Sequence, residues 1–174
     1  MFREKTIADV LTVARFLIGV YLFWLGSLGE RATLSLAASL LWLAWVTDVL
    51  DGPIARRSPI PTISRIGRHD LHADMTVTAG TWGYLWLSGF IGTSLAFIVA
   101  VLAILLIWYT RSIHVCSAVQ ATSYGTMLYT CFANAPFYGW ALVSWLALVV
   151  GVTWPRFPQK ASEFLHGIAS LIRQ

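Results

Sequence analysis

The sequence predicts an all-helical integral membrane protein, a bundle of six transmembrane helices followed by an amphipathic terminal helix lying in the membrane interface. Three observations carry that expectation. Hydrophobic residues make up 57% of the 174 positions and charged residues only 11%, far from the balance of soluble domains. The apolar residues come in blocks of about 20, long enough to cross a hydrocarbon core of about 30 Å as helices. Apart from Arg15 and Arg31, every lysine and arginine falls at a terminus or in a loop on one side of those blocks. The length suits a single domain over residues 1–174.

The first span runs from about Ile7 to Leu28. Arg3 and Lys5 precede it as they would a signal peptide, but the apolar run outlasts a signal's core and no small-residue cleavage pattern follows. It is therefore read as a retained helix. The second span covers about Ala32 to Leu50 and the third about Leu71 to Phe90; the fourth, Ile91 to Tyr109, follows with almost no loop. The fifth, Ile113 to Phe132, is the weakest, because Ser117, Gln120, Thr122, Ser123 and Tyr124 dilute it. The sixth, about Phe137 to Trp154, ends in an aromatic suited to an interface. Beyond it, "PQKASEFLHGIASLIRQ" places Phe164, Leu165, Ile168, Leu171 and Ile172 at helical spacing. Too short and polar to span, residues 157–173 are expected to lie in the interface.

By the positive-inside rule, both termini and the loop between spans two and three face the cytoplasm of a bacterial inner membrane or its equivalent. The net charge of +4 then reads as an orientation signal and a fit to anionic headgroups, with nothing that suggests a nucleic-acid partner. Cys116 and Cys131 both lie in apolar stretches and read as buried bystanders, not as a disulfide framework.

The charges that need explaining sit in "DVLDGPIARRSPIPTISRIGRHDLHAD", residues 48–74, which holds four of the eight acidic residues. Asp48 and Asp51 are three apart at the end of the second span, and Asp70 and Asp74 four apart at the start of the third, so each pair shares a helix face. The two spans are antiparallel and meet at this loop, which allows all four carboxylates to converge just inside the cytoplasmic surface. Converging carboxylates repel, and protonation or divalent cations relieve that repulsion. Oxygen-rich clusters suit Mg²⁺, Mn²⁺ or Ca²⁺, and four carboxylates suffice for a pair of ions about 3.5–4 Å apart, as used in displacement at phosphorus. Helix capping or pairing with arginine explains one or two such aspartates, but not four on facing helices, since ionisable groups at membrane depth are costly. Gly52 and Ala55 permit close approach of a ligand, and Arg56 offers a fork suited to phosphate oxygens.

These residues carry a resemblance. "DVLDGPIAR" followed by "DLHAD" resembles the signature of the CDP-alcohol phosphotransferases, D-x2-D-G-x2-A-R-x8-G-x3-D-x3-D. Asp48, Asp51, Gly52, Ala55, Arg56, Asp70 and Asp74 all match. The middle departs: 13 residues separate Arg56 from Asp70, one more than the pattern, and Gly67 stands three residues before Asp70 instead of four. The opening "TIADVLTVARFL" is similar to the smaller members that use CDP-diacylglycerol, whose first helix carries a Thr and an Arg matched here by Thr12 and Arg15. An arginine inside the first span suggests an anionic substrate partner, with snorkelling or pairing to Asp48 or Asp74 as the alternative.

The resemblance implies transfer of a phosphatidyl group from CDP-diacylglycerol to an alcohol, with release of CMP, on two Mg²⁺ or Mn²⁺ ions. It implies Asp48, Asp51 and Asp70 as ligands, and Asp74 as both ligand and general base. Gly52, Ala55 and Arg56, with Thr12 and Arg15, would line the CDP-lipid site. Arg57, Arg65, Arg68 and Arg111 are candidates for a pocket binding a phosphorylated acceptor, and Arg111 with "SYGTM" 12 residues beyond it loosely resembles the phosphatidylglycerophosphate synthases. Those usually carry a Lys where Thr126 stands here. Glycerol 3-phosphate ranks first as acceptor, ahead of inositol phosphate, serine or another alcohol. The family's habit of pairing makes a homodimer the expected assembly. A divalent-cation transporter and a non-catalytic CDP-lipid binder are the competing classes; a transporter typically holds its carboxylates near the midplane on interrupted helices.

Overall fold

The computed structural model describes residues 2–56, 70–154 and 162, with side chains described within 9–50, 71–154 and at 162. Among the described residues six α-helices form, each where a span was expected: α1 (Phe2–Ser27), α2 (Leu34–Arg56, entered through a single 3-10 turn at Arg31–Thr33), α3 (Asp70–Leu87), α4 (Thr93–Thr110), α5 (Ile113–Asn134) and α6 (Pro136–Thr153). The expected terminal helix over 157–173 lies outside the described residues except for Ser162.

By length and apolarity, four stretches are able to cross a bilayer: Asp9–Ser27, Arg31–Leu50, Thr93–Thr110 and Pro136–Thr153. α3 and α5 fall short of that measure. α3 lines the interior, where a helix needs partners more than it needs an apolar surface, and α5 is diluted by Ser117, Gln120, Thr122 and Ser123. α3 buries Ala73, Val77, Thr78, Thr81, Tyr84 and Leu85. Its threonines tolerate burial because Thr78 and Thr81 donate their hydroxyls to the Asp74 and Val77 carbonyls one turn back. By contrast Leu95, Phe97, Ile104, Trp108 and Trp140 are exposed, an outer surface fit for lipid and not for water. This is a membrane protein.

The tightest contact joins α1 to α3. A Cβ on Gly19 would lie 2.5 Å from the Thr76 carbonyl carbon, one on Gly26 would lie 2.6 Å from the Tyr84 Cα, and one on Gly80 would strike the Gly19 carbonyl oxygen. Backbones approach this closely only where side chains are absent, the small-residue packing that membrane helices use. Successive contacts climb both helices in the same order, so α1 and α3 run parallel, with α2 antiparallel between their ends. α3 stops in a Schellman motif: Phe90 N–H bonds the Leu85 carbonyl and Gly89 N–H the Trp86 carbonyl, with Gly89 at φ +75°. Arg31, the cation on the sparsely charged side, completes that end by donating to the Gly89 and Ser88 carbonyls at 2.5 and 3.4 Å and stacking over Phe90.

Candidate active site

Three buried helical stripes change character at the same end of the bundle. On α2 the inward face reads Leu34, Ala37, Leu41 and Ala44, then Asp48; on α1, read toward its N-terminus, Leu25 and Leu22 give way to Arg15 and Thr12. On α3 the face of Leu85, Thr81 and Val77 leads down to Asp74. Helical periodicity sets each stripe, and the α1–α3 clasp sets their relative height.

Arg15 joins the three. Its Nη1 donates to Asp48 Oδ1 and to Asp74 Oδ1, each at 2.5 Å. The guanidinium is 1% exposed, whereas the Asp48 and Asp74 side chains are 51% and 27% exposed. A charge this deeply buried must be paired, and of the readings of Arg15 the structure contains the pairing with Asp48 and Asp74. Thr12, one turn away, is buried.

A cavity of about 70 Å³ opens beside these groups. Ala44 and Val77 line its apolar part, and Trp45, Gln120 and Tyr124 line it together with the three charged residues. The Tyr124 hydroxyl lies 3.1 Å from Thr78 Oγ1, which itself donates to the Asp74 carbonyl at 2.9 Å. Trp45 meets the Tyr124 ring edge-on, with centroids 5.5 Å apart. Trp45, Thr78, Gln120 and Tyr124 are the site residues that the sequence reading did not single out. The signal was present in the dilution of the fifth span, where Gln120, Ser123 and Tyr124 follow at helical spacing.

The other expected site residues divide by position. Asp51, Gly52, Ala55 and Arg56 occupy the last turns of α2 and Asp70 opens α3, but their side chains fall outside the described ones. Arg57, Arg65, Gly67 and Arg68 lie outside the described residues altogether. Arg111 is exposed and ends α4 in the left-handed region at φ 47°, its N–H bonding the Ile107 carbonyl; it does not line the cavity. Ser123 donates to the Thr78 carbonyl and Thr126 to its own helix at Thr122, so neither hydroxyl turns to the aspartates.

Among the described residues, no three carboxylate, histidine or cysteine side chains gather round one point. Asp48 and Asp74 nonetheless fit a hard cation. Their oxygens already converge on one positive group, their charge outweighs that of Arg15, and both keep exposed surface.

A family model described as CDP-alcohol phosphatidyltransferase matches residues 5–155. No curated protein and no solved structure matches.

Proposed function

The chain belongs to the CDP-alcohol phosphatidyltransferase family, and from that premise we propose that it transfers a phosphatidyl group from CDP-diacylglycerol to the hydroxyl of a small alcohol. The family makes it a transferase of phospholipid synthesis that takes a CDP-linked donor and an alcohol acceptor. Glycerol 3-phosphate is the first acceptor to test, with inositol phosphate and serine next. The bundle crosses the membrane six times, with the site and both termini on the cytoplasmic side.

The observation that carries the reading is the meeting of Asp48 and Asp74 at one buried cation, at the end of the bundle where the signature places Asp51 and Asp70. Asp48, Asp51 and Asp70, with Asp74, would hold two Mg²⁺ or Mn²⁺ ions. When bound, such ions neutralise pyrophosphate charge and stabilise the leaving group. Gly52, Ala55 and Arg56 continue the same helix and would receive the CDP group, its phosphate oxygens met by the Arg56 fork. Asp74 takes the proton of the acceptor hydroxyl as its oxygen attacks the lipid-side phosphorus; the new P–O bond forms as the bond to CMP breaks. Arg15 holds the Asp74 carboxylate in place for that step. The location at one end of the bundle, and not at its midplane, argues against a transporter.

Membranes containing the protein, supplied with CDP-diacylglycerol, Mg²⁺ or Mn²⁺ and a panel of acceptors, are expected to release CMP. Asp74→Asn is expected to abolish that release while leaving CDP-lipid binding largely intact. Normal turnover by this variant rules out Asp74 as the base. CDP-lipid binding by the unaltered protein without CMP release identifies a non-catalytic relative instead.

A further inference from the structure

We infer that Gln120 is an acceptor-binding residue whose carboxamide hydrogen-bonds the acceptor hydroxyl beside Asp74, an assignment resting on the transferase reading above. Gln120 lies on α5 at the depth of Met75, the residue next to Asp74, and lines the same cavity as Arg15, Asp48 and Asp74. Three sides of that cavity are committed. α1 closes it with Arg15, α3 supplies Asp74, and α2 supplies Asp48 and runs on into the residues assigned to the CDP group. The acceptor hydroxyl must come within hydrogen-bond reach of Asp74, and the side left for its approach is α5.

Two polar groups on α5 face that space. Tyr124 already spends its hydroxyl on Thr78. Among the described residues, the Gln120 amide reaches only the Met75 thioether, at 3.9 Å, a weak acceptor that leaves most of the carboxamide's capacity unused. A carboxamide both donates and accepts, which matches a hydroxyl. Held this way, the attacking hydroxyl is positioned beside Asp74, and a site without the carboxamide loses one hydrogen bond to the acceptor.

The test measures CMP release in proteoliposomes with Mg²⁺, varying CDP-diacylglycerol and, separately, the best acceptor among glycerol 3-phosphate, inositol phosphate and serine. Gln120→Met, close in volume and apolar, is expected to raise the acceptor KM about tenfold, the effect of roughly one lost hydrogen bond, with the KM for CDP-diacylglycerol within twofold. Gln120→Asn, which keeps the amide but withdraws it by one methylene, is expected to shift the acceptor KM in the same direction by less. Thr122→Val, on the exposed face of α5, is expected to change neither constant. An unchanged acceptor KM in an active Gln120→Met protein overturns the assignment and leaves the transferase reading standing. A parallel rise in both constants also overturns it, since that marks packing and not recognition. Absence of CMP release from the unaltered protein with every acceptor overturns the transferase reading itself, and this assignment with it.

Discussion

Arg15 is a full charge with 1% of its side chain exposed, and two carboxylates hold it there. Removing one member of a wholly buried ion pair costs roughly 3–5 kcal/mol, because the partner is left uncompensated. Here Asp48 is half exposed and water recovers part of that loss. Arg15→Met is therefore expected to destabilise the fold by on the order of 2 kcal/mol, read as a lower midpoint in thermal unfolding in detergent. Mg²⁺ or Mn²⁺ is expected to restore more of that loss in the variant than it adds to the unaltered protein, since a bound cation replaces the missing charge. An equal response in both proteins would sink the idea that Arg15 and a cation share those carboxylates. The aspartates themselves were legible in the sequence, because i,i+3 and i,i+4 spacing is a local property of a helix. For Arg15 the sequence named Asp48 and Asp74 only as alternatives to a substrate; that both pair with it, from 33 and 59 residues away, was decided by packing.

The α1–α3 clasp works at the scale of elements. Gly19, Gly26 and Gly80 let the two backbones touch, and that contact fixes the height of Arg15 against Asp74. Gly80→Ala is expected to cost about 3 kcal/mol, the upper end for overpacking, since backbone meets the new methyl and cannot move aside. CMP release is expected to fall with it as the site loses register. Gly125 sits mid-helix on α5 with nothing within 4 Å of an added Cβ. Gly125→Ala is expected to be neutral or to stabilise by up to about 1 kcal/mol through helix propensity. Parallel unfolding curves of the two variants check the contrast; equal midpoints would mean the clasp is not tight. The sequence shows all of these glycines alike. Which of them face a neighbouring backbone depends on how α1 and α3 are rotated about their axes, and no local pattern encodes that.

Over the whole molecule, the asymmetry of cations predicts an orientation and the apolar exterior fits a lipid solvent. The side holding Arg31 is expected to face away from the cytoplasm, and the end of α4 at Arg111 toward it. Cys116 and Cys131 are buried, so a membrane-impermeant thiol reagent is expected to leave the unaltered protein unlabelled. In intact cells the reagent should label Glu30→Cys directly, and Arg111→Cys only after permeabilisation; the reverse pattern would invert the topology. The sequence by itself determined the helical class, the six described helices to within a few residues at most ends, and the spacing of the aspartates. Each of those depends on a repeat of hydrophobicity or charge within a few turns of one helix. Only the tertiary structure decided which charges meet, that α3 serves as an interior helix, and that Gln120 and Tyr124 join Asp48 and Asp74 around one cavity. Those outcomes rest on the rotation and height of whole helices against one another, which contacts far apart in the chain must settle together.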